Sequence, residues 1–590
     1  MRAVALAALL LAPRAVGGAD LTADVLVYGT TPAGVFAAVA AAREGASVLL
    51  LDPRDTPVGG MMSGGLGNTD VGVTTAVLGG LTRRFFEEVC AHYYPAAHHP
   101  CFFANFEPSV ALAIFLGPAF LGNSSTPVTV RTATRLTGLT KDAATARILG
   151  GVTAAGDTVA ARAWVDATYE GALLPLAGVS TAFGREAVAQ YNESVAGVLP
   201  EPHNASTPDH PFTSQGQLWE GLSPFFSNGS LIPLVTPPPG AVGSADDRLQ
   251  AWNLRFTLTN DTANMLQPWP RPASYDPANM ELLLRYLTAR NATVFSHTGL
   301  CCGAALPAAP GRPRTKFDVN SQRTDFQGLN WGYAQAVRAG DWAAQEGILQ
   351  AHRDLTLSYF YFLQNDPRLP ASMRASMTTF GLPLDEHVTC GHLPCQVYVR
   401  EALRMVSDFV FTQNDVEVAR AKNDSVGMGA YTIDVMHGSL YAAADPALGI
   451  LQEGGMQASA RARASAPALR GLSSSPSVPR LVRHRRLASS PRPLSPFRFR
   501  IARSRRGALR RRTCSSPSRS RARTSASAPC ASSRRGPCSA SRRASRLRWP
   551  CAGTSTCRTS TGPRFRRASA RSARCLSCER LADSVPAWGK

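Results

Sequence analysis

The sequence predicts an α/β fold of three layers, a largely parallel sheet between helices, followed by a disordered basic tail. Three observations predict it. Residues 24–67, DVLVYGTTPAGVFAAVAAAREGASVLLLDPRDTPVGGMMSGGLG, alternate apolar runs with glycine clusters around one Ala/Val-rich helical stretch. Short apolar runs at 128–130, 148–152 and 158–167 follow, separated by turn residues. Past Gln457 the composition changes abruptly to Arg, Ser and Pro.

Residues 1–19 carry Arg2, an apolar run over 3–12 and small residues at Gly17 and Ala19. This pattern predicts a secretory signal peptide, although Pro13 and Arg14 interrupt it. The run is too short to span a bilayer and no later stretch qualifies, so the expectation is a protein without a membrane span, secreted or in the secretory lumen.

Residues 25–28 read as a strand, 29–34 as a tight turn, 35–43 as a helix and 48–52 as a second strand ending in an acid. That is the pattern of a Rossmann-type dinucleotide-binding unit. Gly29 permits the turn and Gly34 the close packing of helix on sheet. Thr31, Pro32 and Ala33 lie between them at the helix N-terminus, whose N–H groups suit a pyrophosphate. Asp52, 23 residues after Gly29 and followed by Pro53, suits the hydroxyls of an adenosine ribose. Thr31 stands where the motif has its middle glycine, and a turn that binds nothing would read similarly. Gly59, Gly60, Met61, Met62, Ser63, Gly64, Gly65 and Gly67 then form a second loop poor in Cβ atoms, which suits backbone approach to a flat ligand. Two such loops favour FAD over NAD, with the second on the flavin side.

Charge divides the chain. Residues 458–590 hold 32 Arg and one Lys against Glu579 and Asp583, so the tail carries +31 of a total of +21 and the body is acidic at −10. The body therefore gives no reason to expect nucleic acid. Six cysteines lie in the body, where Cys90 with Cys101 and Cys390 with Cys395 are local candidates for disulfides. Seven more lie in the tail, including a C-x-x-C at Cys575 and Cys578 without the further ligands that zinc requires, so no metal is expected. Sequons at Asn123, Asn192, Asn204, Asn228, Asn260, Asn291 and Asn423 use seven of the sixteen asparagines before residue 458, more than chance placement gives, and favour a glycoprotein.

The run at 158–167 continues into Asp166-Ala167-Thr168-Tyr169-Glu170-Gly171. An apolar strand ending in Asp-Ala-Thr places Asp166, Ala167, Thr168 and Gly171 at a carboxyl end facing the cofactor, although an ordinary strand and turn would look the same. The domain reading is 1–19 signal peptide, 20–190 first part of the dinucleotide domain and 458–590 tail, and the resemblance set out next implies that 191–457 is an inserted substrate or cap region with a return toward that domain.

The stretches YGTTPAGVFAAVAAAREGASVLLLDP, VGGMMSGGLGNTD, VDATYEGALLPLAGVSTAFGRE, DDRLQAWNLRFTLT, KFDVN, DEHVTCGHLPCQVYVREALRM and DSVGMGAYTID resemble, in order, the FAD-dependent oxidoreductases often labelled xanthan-lyase-like, from about residue 24 to about 454. The resemblance implies FAD as cofactor and oxidation of a small-molecule substrate, with sugar-like compounds in view because relatives are associated with polysaccharide use. Ala172 departs from the pattern, which has Asp after Tyr-Glu-Gly. So does the tail: the family closes its FAD site with a segment running P-Y-R-x-L-x-P, N-L-L-V-P and S-H-x-x-x-x-x-R-x-E-P, which cannot be read there.

A reading frame one base late accounts for this. Residues 499–506 read back as P-Y-R-A-L-x-P, 513–518 as L-L-V-P-V and 523–534 as H-V-G-F-G-A-M-R-V-E-P, each within the freedom of the code. The expectation is that residues after Gln457 are a frameshifted form of the closing segment. The rival is an Arg/Ser-rich nucleic-acid-binding tail, which would neutralise phosphates without reading sequence; it sits oddly behind a signal peptide.

For the substrate side, Arg400, Glu401 and Arg404 in YVREALRM have helical spacing that puts Arg400 and Arg404 on one face, where they could hold a carboxylate or hydroxyl-rich molecule or form a surface ion-pair ladder. His437, three residues after Asp434, is a candidate base or a structural histidine. Lys316 and Asp318 in KFDVN are similarly open. Three functional readings follow: a secretory FAD-dependent oxidoreductase, an inactive flavoprotein remnant lacking its closing segment, and a nucleic-acid-binding protein through its tail.

Overall fold

β1 (Asp20–Tyr28) lies inside a six-stranded sheet whose order places the chain's first three parallel strands on one side and a returning meander on the other. The computed structural model describes residues 20–70, 75–97, 101–199, 221–295, 305–320, 328–417, 422–429, 431, 433–458 and 497–500. All belong to the first of two units, Met1–Gly507; the second, Ala508–Lys590, lies outside the described residues. Outside them too lie the expected signal peptide, Asn204, Cys301, Cys302 and all of the tail but 458 and 497–500, including Cys575 and Cys578. Among the described residues no helix is long and apolar enough to cross a membrane.

The sheet runs β3 (Thr129–Arg131), β2 (Val48–Leu51), β1, β6 (Thr158–Asp166), β5 (Ile148–Thr153), β4 (Leu136–Lys141). The first four strands are parallel and the last two antiparallel. All four residues of β2 are buried, as expected of a parallel strand covered on both faces. α1 (Pro32–Arg43) starts with proline at its first position and packs Val35, Ala38, Val39 and Ala42 inward, the spacing of one helical face. β3, β5 and β6 fall where the apolar runs predict them. β4 was not legible, because Leu136 is its one fully buried side chain and no alternation results.

Phe85, Phe106, Phe115 and Phe120 fill the core beside α1, with α2 (Gly80–Tyr93) supplying Phe85 and α3 (Pro108–Leu116) supplying Phe115. A second core, around Trp252, Phe256, Trp269, Tyr333, Phe360 and Met373, lies in the later region and is spanned by the helix Trp342–Asn365. Two disulfides form at the expected local pairs, Cys90–Cys101 and Cys390–Cys395, with Cα atoms 5.8 and 5.5 Å apart. The strand Phe497–Arg500 pairs antiparallel with Ser425–Gly429.

One expected helix is corrected. YVREALRM is irregular chain ending in the strand Arg404–Met405, which pairs with Thr181–Ala182. Two of its amides are committed to distant carbonyls, Tyr398 N–H to Asn253 and Leu403 N–H to Glu170, at 3.0 and 3.2 Å, and Val406 N–H, just beyond it, bonds the Ser180 carbonyl at 2.9 Å. Arg400 and Arg404 therefore do not share a helical face.

Candidate cofactor site

The chain leaves β1 outward to β2 and β3, then returns to the other side of β1 as β6, so the connections diverge at the carboxyl ends of β1 and β6. Crevices that bind ligands in open α/β sheets form at such a point. Residues 29–34 leave β1 there and 166–171 leave β6.

Gly29 has φ +106°, and a Cβ on it would meet the Ala167 carbonyl carbon at 2.7 Å; a Cβ on Gly34 would overlap the Gly29 carbonyl. Both glycines are thus required by backbone packing at the turn. Thr31, in the middle-glycine place, caps α1: its Oγ1 accepts from Gly34 N–H at 3.2 Å and donates to the Ala167 carbonyl at 2.6 Å. Pro32 has no N–H and Gly34 is capped, so Ala33 carries the remaining first-turn amide.

Asp52 follows β2 and is buried. Its Oδ2 accepts from Thr30 N–H at 2.8 Å and Thr30 Oγ1 at 2.7 Å, and its Oδ1 from Arg54 N–H at 3.0 Å with a longer contact to Thr56 at 3.4 Å. Burial pushes this carboxyl up, opposed by the Thr30 bonds. Two residues on, beyond Pro53, the Arg54 guanidinium meets Glu170 at 3.0 Å, Glu346 at 2.8 Å and the Tyr333 hydroxyl at 3.1 Å, and lies over the Trp342 ring. Sequence reasoning missed this cluster, since its members come from four separate segments.

At the end of β6, Asp166 accepts from Thr168 N–H, Thr168 Oγ1 and Leu173 N–H at 3.0, 2.7 and 2.8 Å, which folds the turn carrying Gly171, φ +70°. Ala172, which departs from the family pattern, donates its N–H to Thr168 Oγ1 at 2.9 Å. Tyr169 reaches from this turn to the second glycine loop, where its hydroxyl accepts from Met61 N–H at 2.9 Å. Gly60 sits against that hydroxyl, and Gly59 against the Phe115 ring and Ser63 Oγ. A Cβ on Gly64 would meet Gln396 at 2.6 Å, and one on Gly65 would overlap the Arg255 carbonyl. Below the loop, Asp318 accepts from Gly67 N–H and pairs with Arg255, both at 3.0 Å, and Arg255 also donates to the Asn68 carbonyl at 3.0 Å. KFDVN contributes Asp318 to this support; Arg255 was not legible as its partner.

Lys316 has a different role. Its ammonium lies among Glu107, Asp385 and Glu386 at 2.7, 2.8 and 2.8 Å, and so is itself the cation of the acidic cluster these three carboxylates form. Arg404 and Glu401 line a cavity of about 380 Å³ together with Arg185, Glu186, Gln250 and Met436. Arg404 pairs with Glu186 at 2.7 Å, while Glu401 accepts from Gln250 N–H and Nε2 at 2.8 and 3.2 Å. His437 is buried on the strand Ile433–Ala442, its carbonyl accepting from Ala251 N–H at 2.9 Å, and is not among the residues that line this cavity. Arg400 is held away from the cavity, on the Ala251 carbonyl at 3.0 Å and Asn253 Oδ1 at 3.1 Å.

The donor set fits a dinucleotide. A glycine turn, a helix N-terminus and a buried acid after the second strand converge at the divergence point of the sheet, and this defines the class: a dinucleotide-binding protein of the Rossmann type. Residues 24–452 match the family model described as FAD dependent oxidoreductase. The chain belongs to that family, and its cofactor is FAD. No curated protein matches. Among solved structures, the chain is similar to 3-ketosteroid-delta4-(5alpha)-dehydrogenase from Rhodococcus jostii RHA1, with 20% identity over 26% of this chain and 47% of that one at a TM-score of 0.19. It is also similar to the myxobacterial chondrochloren halogenase CndH, with 18% identity over 28% and 41% at 0.20. The chain thus spans less than half the length of these two structures.

Proposed function

We propose that the chain is an FAD-dependent oxidoreductase of the secretory pathway that oxidises a small molecule, with sugar-like compounds as the first class to test. The observation that carries it is the convergence of residues 29–34, Asp52 and 166–171 at the carboxyl ends of β1, β2 and β6. FAD when bound supplies hydride or electron acceptance. The chain's own residues would bind and orient it: Ala33 N–H and the α1 N-terminus would hold the pyrophosphate, the Asp52 carboxylate would accept from a ribose hydroxyl, and the Gly59–Gly60 backbone would support the flavin side. On the substrate side, Arg404 and Glu401 at the cavity offer a donor and an acceptor to hydroxyl groups. The secretory part is supported by the two disulfides and by the surface placement of the described sequons.

A second reading, a remnant that does not retain FAD, is favoured by one observation: the family match ends at residue 452, just before the Arg-rich segment. The test is to purify the full chain beside a version with the reading frame restored after Gln457. Flavin absorbance in both supports the oxidoreductase, and a turnover screen then seeks its substrate. A colourless parent with a yellow restored chain selects the remnant and supports the frameshift, whereas no flavin in either sinks the proposal. Salt-sensitive RNA retention lost on deleting residues 458–590 would select the nucleic-acid reading instead.

A further inference from the structure

Six of the seven sequon asparagines lie among the described residues, each at least partly exposed and outside the sheet, whereas the fully buried Asn253 and Asn330 belong to no sequon. Asn228 differs from the others in its local geometry. Residues 225–231, FFSNGSL, form a tight hairpin: Phe226 N–H donates to the Ser230 carbonyl at 2.8 Å, Gly229 N–H to the Phe226 carbonyl at 3.0 Å, and Phe225 bridges to Leu231. Asn228 is exposed at the tip, and Gly229 takes φ +83°, which a bulkier residue would resist. Both donors of the sequon's hydroxyl residue go to the Asn228 carboxamide oxygen: Ser230 N–H at 3.0 Å and Ser230 Oγ at 2.7 Å. With Oδ1 held into the turn on that side, Nδ2 is left on the side facing water. At Asn123 the comparable turn shows the amide contact, Ser125 N–H to Oδ1 at 3.0 Å.

We propose that Asn228 is an N-glycan attachment site, a proposal that rests on the secretory reading above. The donor is an oligosaccharide carried on a polyprenyl pyrophosphate. Nδ2 attacks the anomeric carbon, the C–N bond forms as the C–O bond to pyrophosphate breaks, one Nδ2 proton passes to a base and the polyprenyl pyrophosphate leaves, with no change of oxidation state. Ser230, by donating to Oδ1, holds the carboxamide in the orientation that presents Nδ2. All of these contacts lie within seven consecutive residues, so the hairpin can form during synthesis, before the long-range core. In the folded chain the tip faces water, so the sugar meets no packed surface.

The test expresses the full chain in a secretory eukaryotic host, once with its own N-terminus and once with a supplied signal peptide. Glycans are removed enzymatically in heavy-oxygen water, so that each occupied Asn becomes a labelled Asp that peptide mass spectrometry locates. Label at Asn228, lost in N228Q and S230A and kept in S230T, is the expected result. Label at other sequons but none at Asn228 overturns the proposal and leaves the secretory reading standing. Label at Asn228 only with the supplied signal keeps the site and overturns the routing. No label at any sequon with the supplied signal overturns the site.

Discussion

Arg255 and Asp318 form an ion pair at 3.0 Å with both side chains only 4% exposed, directly beneath the second glycine loop. Burial pushes the Asp318 carboxyl up, and the Arg255 guanidinium and Gly67 N–H oppose this. Because each partner also holds loop backbone, at Gly67 and Asn68, the pair couples the strand Lys316–Val319 to the flavin-side loop.

Removing one member strands the other's charge in the interior, which costs about 3–5 kcal/mol, whereas an apolar pair of similar volume is much closer to neutral. D318N and R255M should therefore each lower stability more than the double variant R255M/D318L. Chemical unfolding of the four proteins checks this, and a double variant as unstable as the sum of the singles would contradict it.

Gly34 and Gly347 make a contrasting pair. A Cβ at Gly34 overlaps the Gly29 carbonyl, so G34A should displace α1 from the turn and abolish flavin retention, read as loss of visible absorbance. Gly347 is exposed in the helix Trp342–Asn365, and a Cβ there meets nothing within 4 Å. G347A should raise stability by about 0.5–1 kcal/mol, read as an increased thermal midpoint.

Thr31 replaces a glycine of the motif and contributes two hydrogen bonds in return. T31V removes both while keeping the shape, and should cost about 1–2 kcal/mol. T31S should retain most of that stability. Denaturant midpoints of the two variants measured together decide it.

His352 is fully buried beside Trp252, and burial lowers its pKa from 6.5 to about 3. Folded, it stays neutral; unfolded, it takes a proton below pH 6.5. Stability from this group is therefore complete above pH 6.5 and declines as pH falls toward 3, by about 1.4 kcal/mol per unit. The raised carboxyls Asp52, Asp166 and Asp318 act in the opposite sense, so the difference between the parent and H352Q isolates the histidine. Thermal midpoints should fall less in H352Q than in the parent between pH 7 and pH 5.

The first βαβ unit was legible because its determinants are local. Gly29, Gly34 and the acid after β2 act through steric limits and strand length within thirty residues, so their spacing alone reports the turn, the helix and the cofactor edge. The disulfide pairs were legible for the same reason of short separation. What only the tertiary structure decided is who supports that edge. Arg54 finds Glu170, Tyr333 and Glu346, Arg255 finds Asp318, and Tyr169 holds Met61, through contacts that span tens to hundreds of residues and leave no periodic trace. YVREALRM shows the same limit in reverse. Its spacing favours a helix, but its Tyr398 and Leu403 amides bond carbonyls of Asn253 and Glu170, and a backbone donor can be used once. Local sterics fixed the dinucleotide turn, and competition for distant hydrogen-bond and charge partners fixed everything that holds it in place.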